Sequence, residues 1–363
     1  MNRLMLIDPW GAELVEYEKV IKAFGLELFK ANSFPEPNRL MRRGVVFAGR
    51  DLKRIADAIK KRKEFYALTG IMPTAEKLHF GNKMVVENMR YFQERGAKTF
   101  LLVADLEAMI ARKISLEEAR KRALEFHIPA YIALGLDPKN TIFYFQSENR
   151  RLTRLVYAFS RRVTASEFRA IYGTNDPERM LAALTQAADI LFPQLEKRMP
   201  CIVPVGIDQD PHLRLTRDIV RRTKNEFGFV MPSSIYHKYT PSLDGSMKMS
   251  KSKPESCIEL PEDSGEVCRK LKKALTGGRE TIDEQRKKGG QPEKCVVFEL
   301  HKQHLIEDDD ELAEIFNDCK TGKLLCKECK QIACERFAEF MDLFEKRFEK
   351  AKRKVDKLRF ISE

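Results

Sequence analysis

The chain has 363 residues, more than one ordinary hydrophobic core accommodates, so two domains of unequal size are expected. Lys and Arg number 66 against 54 Asp and Glu, a net charge of +12 that favours a polyanionic partner, although a basic surface can also serve solubility alone. No apolar run of about 18 residues exists to cross a membrane, and residues 1–8 are interrupted too soon for a signal peptide, so the expected location is the cytoplasm.

In chain order, residues 1–60 mix short apolar stretches at 4–7 and 45–47 with a polar, helix-like segment at 16–24, and read as an N-terminal extension packed on the larger domain. Residues 64–68 form a strand feeding a glycine turn at Gly70, with an amphipathic helix at 83–95. Residues 97–104, Ala-Lys-Thr-Phe-Leu-Leu-Val-Ala, are a mostly apolar run between Gly96 and Asp105, as a buried parallel strand should be. A helix is expected at 115–126, with Ser115 and Glu118 in capping-box spacing. Residues 141–146 and 201–206 are further strands, the second running into Asp208-Gln209-Asp210-Pro211 and a helix at 213–223. Strands alternating with helices predict an α/β fold, a doubly wound parallel sheet with ligands at the carboxyl ends of its strands. From Glu262 onward helix patterns dominate, so the expected division is 61–256 for the sheet domain and 257–363 for an all-helical one.

The most informative stretch is Met247-Lys248-Met249-Ser250-Lys251-Ser252, opened by Leu243-Asp244-Gly245-Ser246. Two lysines with small hydroxyl residues between them make a mobile cationic strap that can close over a polyphosphate and follow its charge as a bond breaks. Alone, such a loop is usually a solvated turn. Here it is joined by Thr69-Gly70-Ile71-Met72-Pro73-Thr74 with His79, Gly81 and Asn82, and by Gly206 with Asp208 and Gln209. A glycine turn before a helix brings backbone N–H groups against a nucleotide, an aspartate or glutamine after a glycine can bind ribose hydroxyls, and mobile lysines meet phosphates. Together these are the parts of a nucleotidyl-transfer site.

His79-Phe80-Gly81-Asn82 resembles the HIGH signature of class I aminoacyl-tRNA synthetases, and residues 248–252 match their KMSKS signature letter for letter. Within that class the chain is similar over nearly its whole length to tryptophanyl-tRNA synthetases of the archaeal and eukaryotic type. Gly206-Ile207-Asp208-Gln209-Asp210-Pro211 is the most discriminating piece, and Asp8-Pro9-Trp10-Gly11, residues 276–281 and the acidic patch at 307–311 also look family-like. Tyrosyl-tRNA synthetase is the near relative, and a catalytically silent paralogue that only binds RNA is the reading from another class.

The resemblance implies a Rossmann-type catalytic domain with an inserted helical dimerisation region, a helical anticodon-binding domain, and a homodimer acting on tryptophan, ATP with Mg2+, and tRNA(Trp). It implies that His79, Lys248 and Lys251 act in catalysis. ATP would be held by Gly70, Pro73, His79, Gly81, Asn82, Gly206 and Asp208, together with Lys248, Met249, Ser250, Lys251 and Ser252 of the strap. Leu68, Glu107, Gln186 and Gln209 would meet tryptophan. Two departures matter. Asn82 replaces the second histidine of HIGH, and Leu68 stands where many relatives present a tyrosine that touches the substrate, so the indole N–H needs an acceptor elsewhere, with Glu107 and Gln186 as candidates.

Of eight cysteines, Cys201, Cys257 and Cys268 read as small buried hydrophobes. Cys326 and Cys329 form a CxxC with Cys319 and Cys295 upstream, and Cys334 in reserve. Four thiolates suit zinc or an iron-sulfur cluster, and some bacterial tryptophanyl-tRNA synthetases that hold a 4Fe-4S cluster resemble this spacing. Arg150, Arg151, Arg154, Arg161 and Arg162, and the basic tail at 347–359, suit phosphate contacts that position RNA without reading it.

Overall fold

The computed structural model describes residues 17–246, 248–250 and 253–361. It divides into two units. One comprises Met1–Glu76, Val85–Lys238 and Ala351–Glu363, the other Lys77–Met84 and Tyr239–Lys350.

The strands in chain order are β1 (Glu27–Leu28), β2 (Val46–Arg50), β3 (Tyr66–Ile71), β4 (Leu78–His79), β5 (Lys98–Val103), β6 (Thr141–Phe145), β7 (Cys201–Gly206), β8 (Ser233–His237), β9 (Glu259–Leu260) and β10 (Phe360–Ile361). All but β4 and β9 form the eight-stranded sheet of the first unit, in the order β1-β2-β8-β7-β3-β5-β6-β10. The pairs from β8 across to β10 are parallel, while β1 and β2 add antiparallel at the other edge. The apolar run at 97–104 is indeed a central strand, because Phe100 to Val103 have neighbours on both faces and are all buried. Tyr66, Leu68, Phe100 and Tyr144 from the sheet pack with Leu155, Phe159 and Phe168 from helices Arg150–Ser160 and Ala165–Tyr172, and with Ile219 from helix Asp210–Arg222. Burying one such aromatic side chain stabilises by roughly 1.5–3 kcal/mol.

Strand pairing opens the place where ligands belong. β3 pairs with β5 at all six residues, from Tyr66 opposite Lys98 to Ile71 opposite Val103, but with β7 only through Tyr66–Cys201 and Ala67–Ile202. The chain proceeds from β3 outward through β5 and β6, then returns to β7 on the opposite side of β3. That reversal is a topological switch point, and a crevice at the carboxyl ends of its two strands is the general ligand position in such sheets. One expectation is corrected here: Gly70 lies inside β3, not in a turn after it. A further strand, β10, escaped the sequence reading, because two residues in a basic tail carry too little pattern.

The second unit contains the antiparallel pair of β4 and β9, and otherwise helices. Successive helices start by one rule. The side chains of Asp263, Thr281 and Asp308 accept the backbone N–H of Glu266, Glu284 and Glu311, capping orphan donors three residues into each helix. Cys268 and Cys334 form a disulfide across 66 residues, joining helix Ser264–Lys273 to helix Cys326–Lys352. Cys268 is therefore a bridge partner, not a lone apolar filler, and Cys334 is not a spare ligand. No helix among the described residues is long and apolar enough to cross a membrane.

Candidate active site

In the first unit, a buried polar chain runs across three elements. The Gln146 amide nitrogen, just past β6, donates to Glu107 Oε1 at 2.9 Å and to Asp189 Oδ2 at 2.7 Å. Gln186 donates to Glu107 Oε2 at 2.8 Å, and the Tyr144 hydroxyl to Asp189 Oδ1 at 3.0 Å. Glu107 sits in the first turn of helix Asp105–Arg112, and Gln186 and Asp189 lie on helix Pro177–Leu191. Burial pushes the Glu107 carboxyl up and the Asp189 carboxyl well up, the latter also because Glu107 is near. The structure brings together Glu107 and Gln186, both candidates from the sequence, and adds Gln146, Asp189 and Tyr144. Leu68, in the middle of β3, is buried in the hydrophobic cluster of the same unit.

At the end of β7, Gly206 leads into a short 3-10 turn, Ile207–Gln209, and then helix Asp210–Arg222. The turn is fixed from beneath. Arg50 grips Asp210 with two bonds, Nε to Oδ1 at 2.9 Å and Nη2 to Oδ2 at 3.0 Å, while the Tyr236 hydroxyl donates to Oδ1 at 2.5 Å. Such a bidentate, charge-assisted pair specifies orientation as well as energy. Asp208 is buried beside it, and the Gln209 amide donates to Asp208 Oδ2 at 3.2 Å. His212, one turn on, hydrogen-bonds the Tyr172 hydroxyl at 2.9 Å, and burial pushes its pKa down to about 4, so it is neutral at pH 7.

In the second unit, His79 is the last residue of β4, and helix Phe80–Glu94 begins immediately. The HIGH-like residues cap this helix reciprocally: the His79 N–H donates to Asn82 Oδ1 at 3.1 Å, and the Gly81 N–H donates to His79 Nδ1 at 3.0 Å. An imidazole accepting at Nδ1 carries its proton on Nε2 when neutral, which makes Nε2 a donor. The glycine is required, because a Cβ at position 81 would stand 2.7 Å from His79 Cε1. Asn82, the departure from the signature, thus serves as part of the cap. Phe80 stacks on His304 at 4.6 Å and meets Phe337 edge-on, anchoring the motif in the helical unit.

The strap hangs from a buried residue. Met249 is 2% exposed, its N–H donates to the Thr240 carbonyl at 2.8 Å, and its sulfur accepts the Ile258 N–H at 3.3 Å. Lys248 lies over the Tyr239 ring with Nζ 4.9 Å from the centroid. Ser250 follows at the edge, while Lys251 and Ser252 lie outside the described residues, as does Asp8-Pro9-Trp10-Gly11. Gly245 takes a left-handed φ of 84°, and Asp244 is held below the usual carboxylate range by Ser246 and then Lys253. Pro73 is buried and Gly70 exposed, in the first unit.

The metal expectation finds no support in the side-chain arrangement. Cys295, Cys319, Cys326 and Cys329 do line one cavity of about 10 Å³, with Phe298, Leu324 and Leu325. Burial raises the Cys319 thiol to about 11, and the Cys329 thiol further. Yet among the described residues no three His, Cys, Asp or Glu side chains are arranged to hold a metal ion. Of the basic cluster, Arg151 and Arg162 are ion-paired with Glu196 and Glu226.

Residues that sequence reasoning missed fall into two kinds. Gln146 left a signal, since it is the one polar residue ending an otherwise apolar strand at its carboxyl end. Asp189, Tyr144, Arg50 and Tyr236 left none, because each is defined by a partner 26 to 160 residues away.

Comparison with known proteins agrees with this geometry. The family model for tRNA synthetases class I (W and Y) matches residues 60–342. Tryptophan–tRNA ligase of Aeropyrum pernix is 47% identical, covering 95% of both chains, and that of Hyperthermus butylicus 44%, covering 96% of both. The crystal structure of tryptophanyl-tRNA synthetase from the hyperthermophilic archaeon Aeropyrum pernix superimposes with a TM-score of 0.89 at 45% identity, covering 98% of this chain and 99% of that one. With its Rossmann-type sheet, switch-point topology, HIGH-like helix start and nearly full-length relatives, the chain belongs to the class I tRNA synthetases, in the family of the tryptophan–tRNA ligases.

Proposed function

We propose that this chain activates tryptophan with ATP and transfers it to tRNA(Trp). The observation that carries the reading is the nearly full-length likeness to archaeal tryptophan–tRNA ligases. The intact HIGH-like and KMSKS segments and the enclosed polar chain around Glu107 support it. In the proposed reaction the tryptophan carboxylate attacks the α-phosphorus of ATP in line and pyrophosphate leaves. The terminal ribose hydroxyl of the tRNA then takes the acyl group and AMP leaves. No side-chain nucleophile is needed, because positioning and electrostatics carry such chemistry. ATP enters as its Mg2+ complex, and the ion bears part of the phosphate charge.

His79 serves as a phosphate donor through Nε2, not as a general base, because its Nδ1 is committed to the Gly81 N–H. Lys248 and Lys251 bear the charge growing on pyrophosphate, with Met249, Ser250 and Ser252 shaping the strap. Gly70, Pro73, Gly81, Asn82, Gly206 and Asp208 make up the rest of the nucleotide contacts, and Leu68, Glu107, Gln186 and Gln209 face tryptophan. The helical C-terminal region reads the anticodon arm, two copies of the chain act together, and the enzyme works in the cytoplasm. Charging of tRNA with labelled tryptophan, dependent on ATP, tests the reading. A chain that binds tRNA yet acylates none would be the silent paralogue instead.

A further inference from the structure

The Gln146 side chain is fully buried, and its oxygen has no hydrogen-bond partner among the described residues. In the structure the amide nitrogen faces Glu107 Oε1 and Asp189 Oδ2 and donates to both. What remains is one neutral acceptor, Oε1, in an enclosed place, and a buried acceptor left unmade is costly enough to require an explanation.

We infer that Gln146 Oε1 accepts the indole N–H of bound tryptophan and thereby sets the choice of tryptophan over tyrosine. The match is one of number and charge. Indole brings one neutral donor and no acceptor, which is what Oε1 lacks and all that it lacks. Tyrosine would bring a hydroxyl whose lone pairs also need donors, but both N–H groups of Gln146 are already spent on Glu107 and Asp189. Phenylalanine would leave Oε1 unmade. Glu107 and Gln186, the candidates from sequence, are bonded to each other through Oε2, and Glu107 Oε1 already accepts from Gln146. They orient the acceptor, and Leu68 supplies an apolar wall.

The inference rests on the proposed tryptophan activity, and the two fail differently. Without tryptophan-dependent pyrophosphate exchange in the unaltered protein, the proposed activity itself falls. With exchange intact, the inference is tested by the tryptophan analogue in which benzothiophene replaces indole, a sulfur standing for the N–H. In the unaltered protein, kcat/KM for the analogue should fall about ten- to hundredfold below that for tryptophan. In Gln146→Met the gap should nearly close. An analogue as good as tryptophan in the unaltered protein, or a gap untouched in Gln146→Met, would overturn the inference. Should Gln146→Met not fold, a crystal structure of the unaltered protein with tryptophan decides. Indole nitrogen within about 3.2 Å of Gln146 Oε1 supports the inference, and a water on Oε1 with the indole nitrogen bonded elsewhere contradicts it.

Discussion

The two units solve opposite problems. The first encloses its polar groups: Glu107, Gln146, Asp189 and Tyr144 are buried under a sheet core and satisfy one another to within one acceptor. The second displays its chemistry at edges, with His79 at a strand end and Lys248 on a strap held by a buried methionine. Recognition of a small apolar side chain demands a rigid, dry setting in which one missing hydrogen bond is felt. Charge that moves during a reaction demands groups able to follow it. Their scaffolds differ accordingly, a continuous parallel core in one and helices tied by a disulfide in the other.

Both units nevertheless share an acid weakness, which offers the largest test. Burial lowers His212 in the first unit and His301 in the second from 6.5 to about 4. Between these values the unfolded chain binds more protons than the folded one, so stability is full above pH 6.5 and is lost as pH falls toward 4. Each histidine can contribute up to about 3 kcal/mol. Thermal unfolding from pH 7 down to 4.5 should show a declining midpoint. His301→Asn, which keeps a donor for the Cys329 carbonyl, should flatten part of that decline. A flat profile in the parent would mean neither histidine is held neutral.

The strap comes next. Lys251→Ala, and similarly Lys248→Ala, should slow adenylate formation by about a hundredfold, as for loss of one preorganised transition-state donor, while tryptophan affinity in the absence of ATP barely changes. Loss of tryptophan affinity with the saturated rate intact would dissolve the division of labour between the units. Smaller still is Gly81→Ala. The new Cβ would press on the His79 ring and displace it, so adenylation should slow by about tenfold with the unfolding midpoint little changed. An unaltered rate would remove His79 from the chemistry.

Legibility in the sequence followed the same division. The second unit's motifs were readable because they are short and contiguous: a lysine strap, and a histidine two residues before its glycine. Central strands β5 and β7 were readable because burial on both faces forces a continuous apolar run. The polar chain of the first unit was readable only by resemblance and only at Glu107 and Gln186. Gln146 showed only as a polar residue at the carboxyl end of an apolar strand, while Asp189, Tyr144 and the Arg50–Asp210–Tyr236 clamp are pairings across long stretches of sequence that no local pattern encodes. The Cys268–Cys334 bridge was hidden for that reason, and the CxxC drew attention to four other thiols that share a cavity without forming a ligand set.

The most direct measurement is ATP–pyrophosphate exchange by the unaltered protein with each of the twenty amino acids in turn. Tryptophan should support exchange with kcat/KM at least about a hundredfold above tyrosine, because a site built around one unmet acceptor leaves a phenol's lone pairs without donors. Exchange driven better by tyrosine, or by no amino acid at all, would contradict the account.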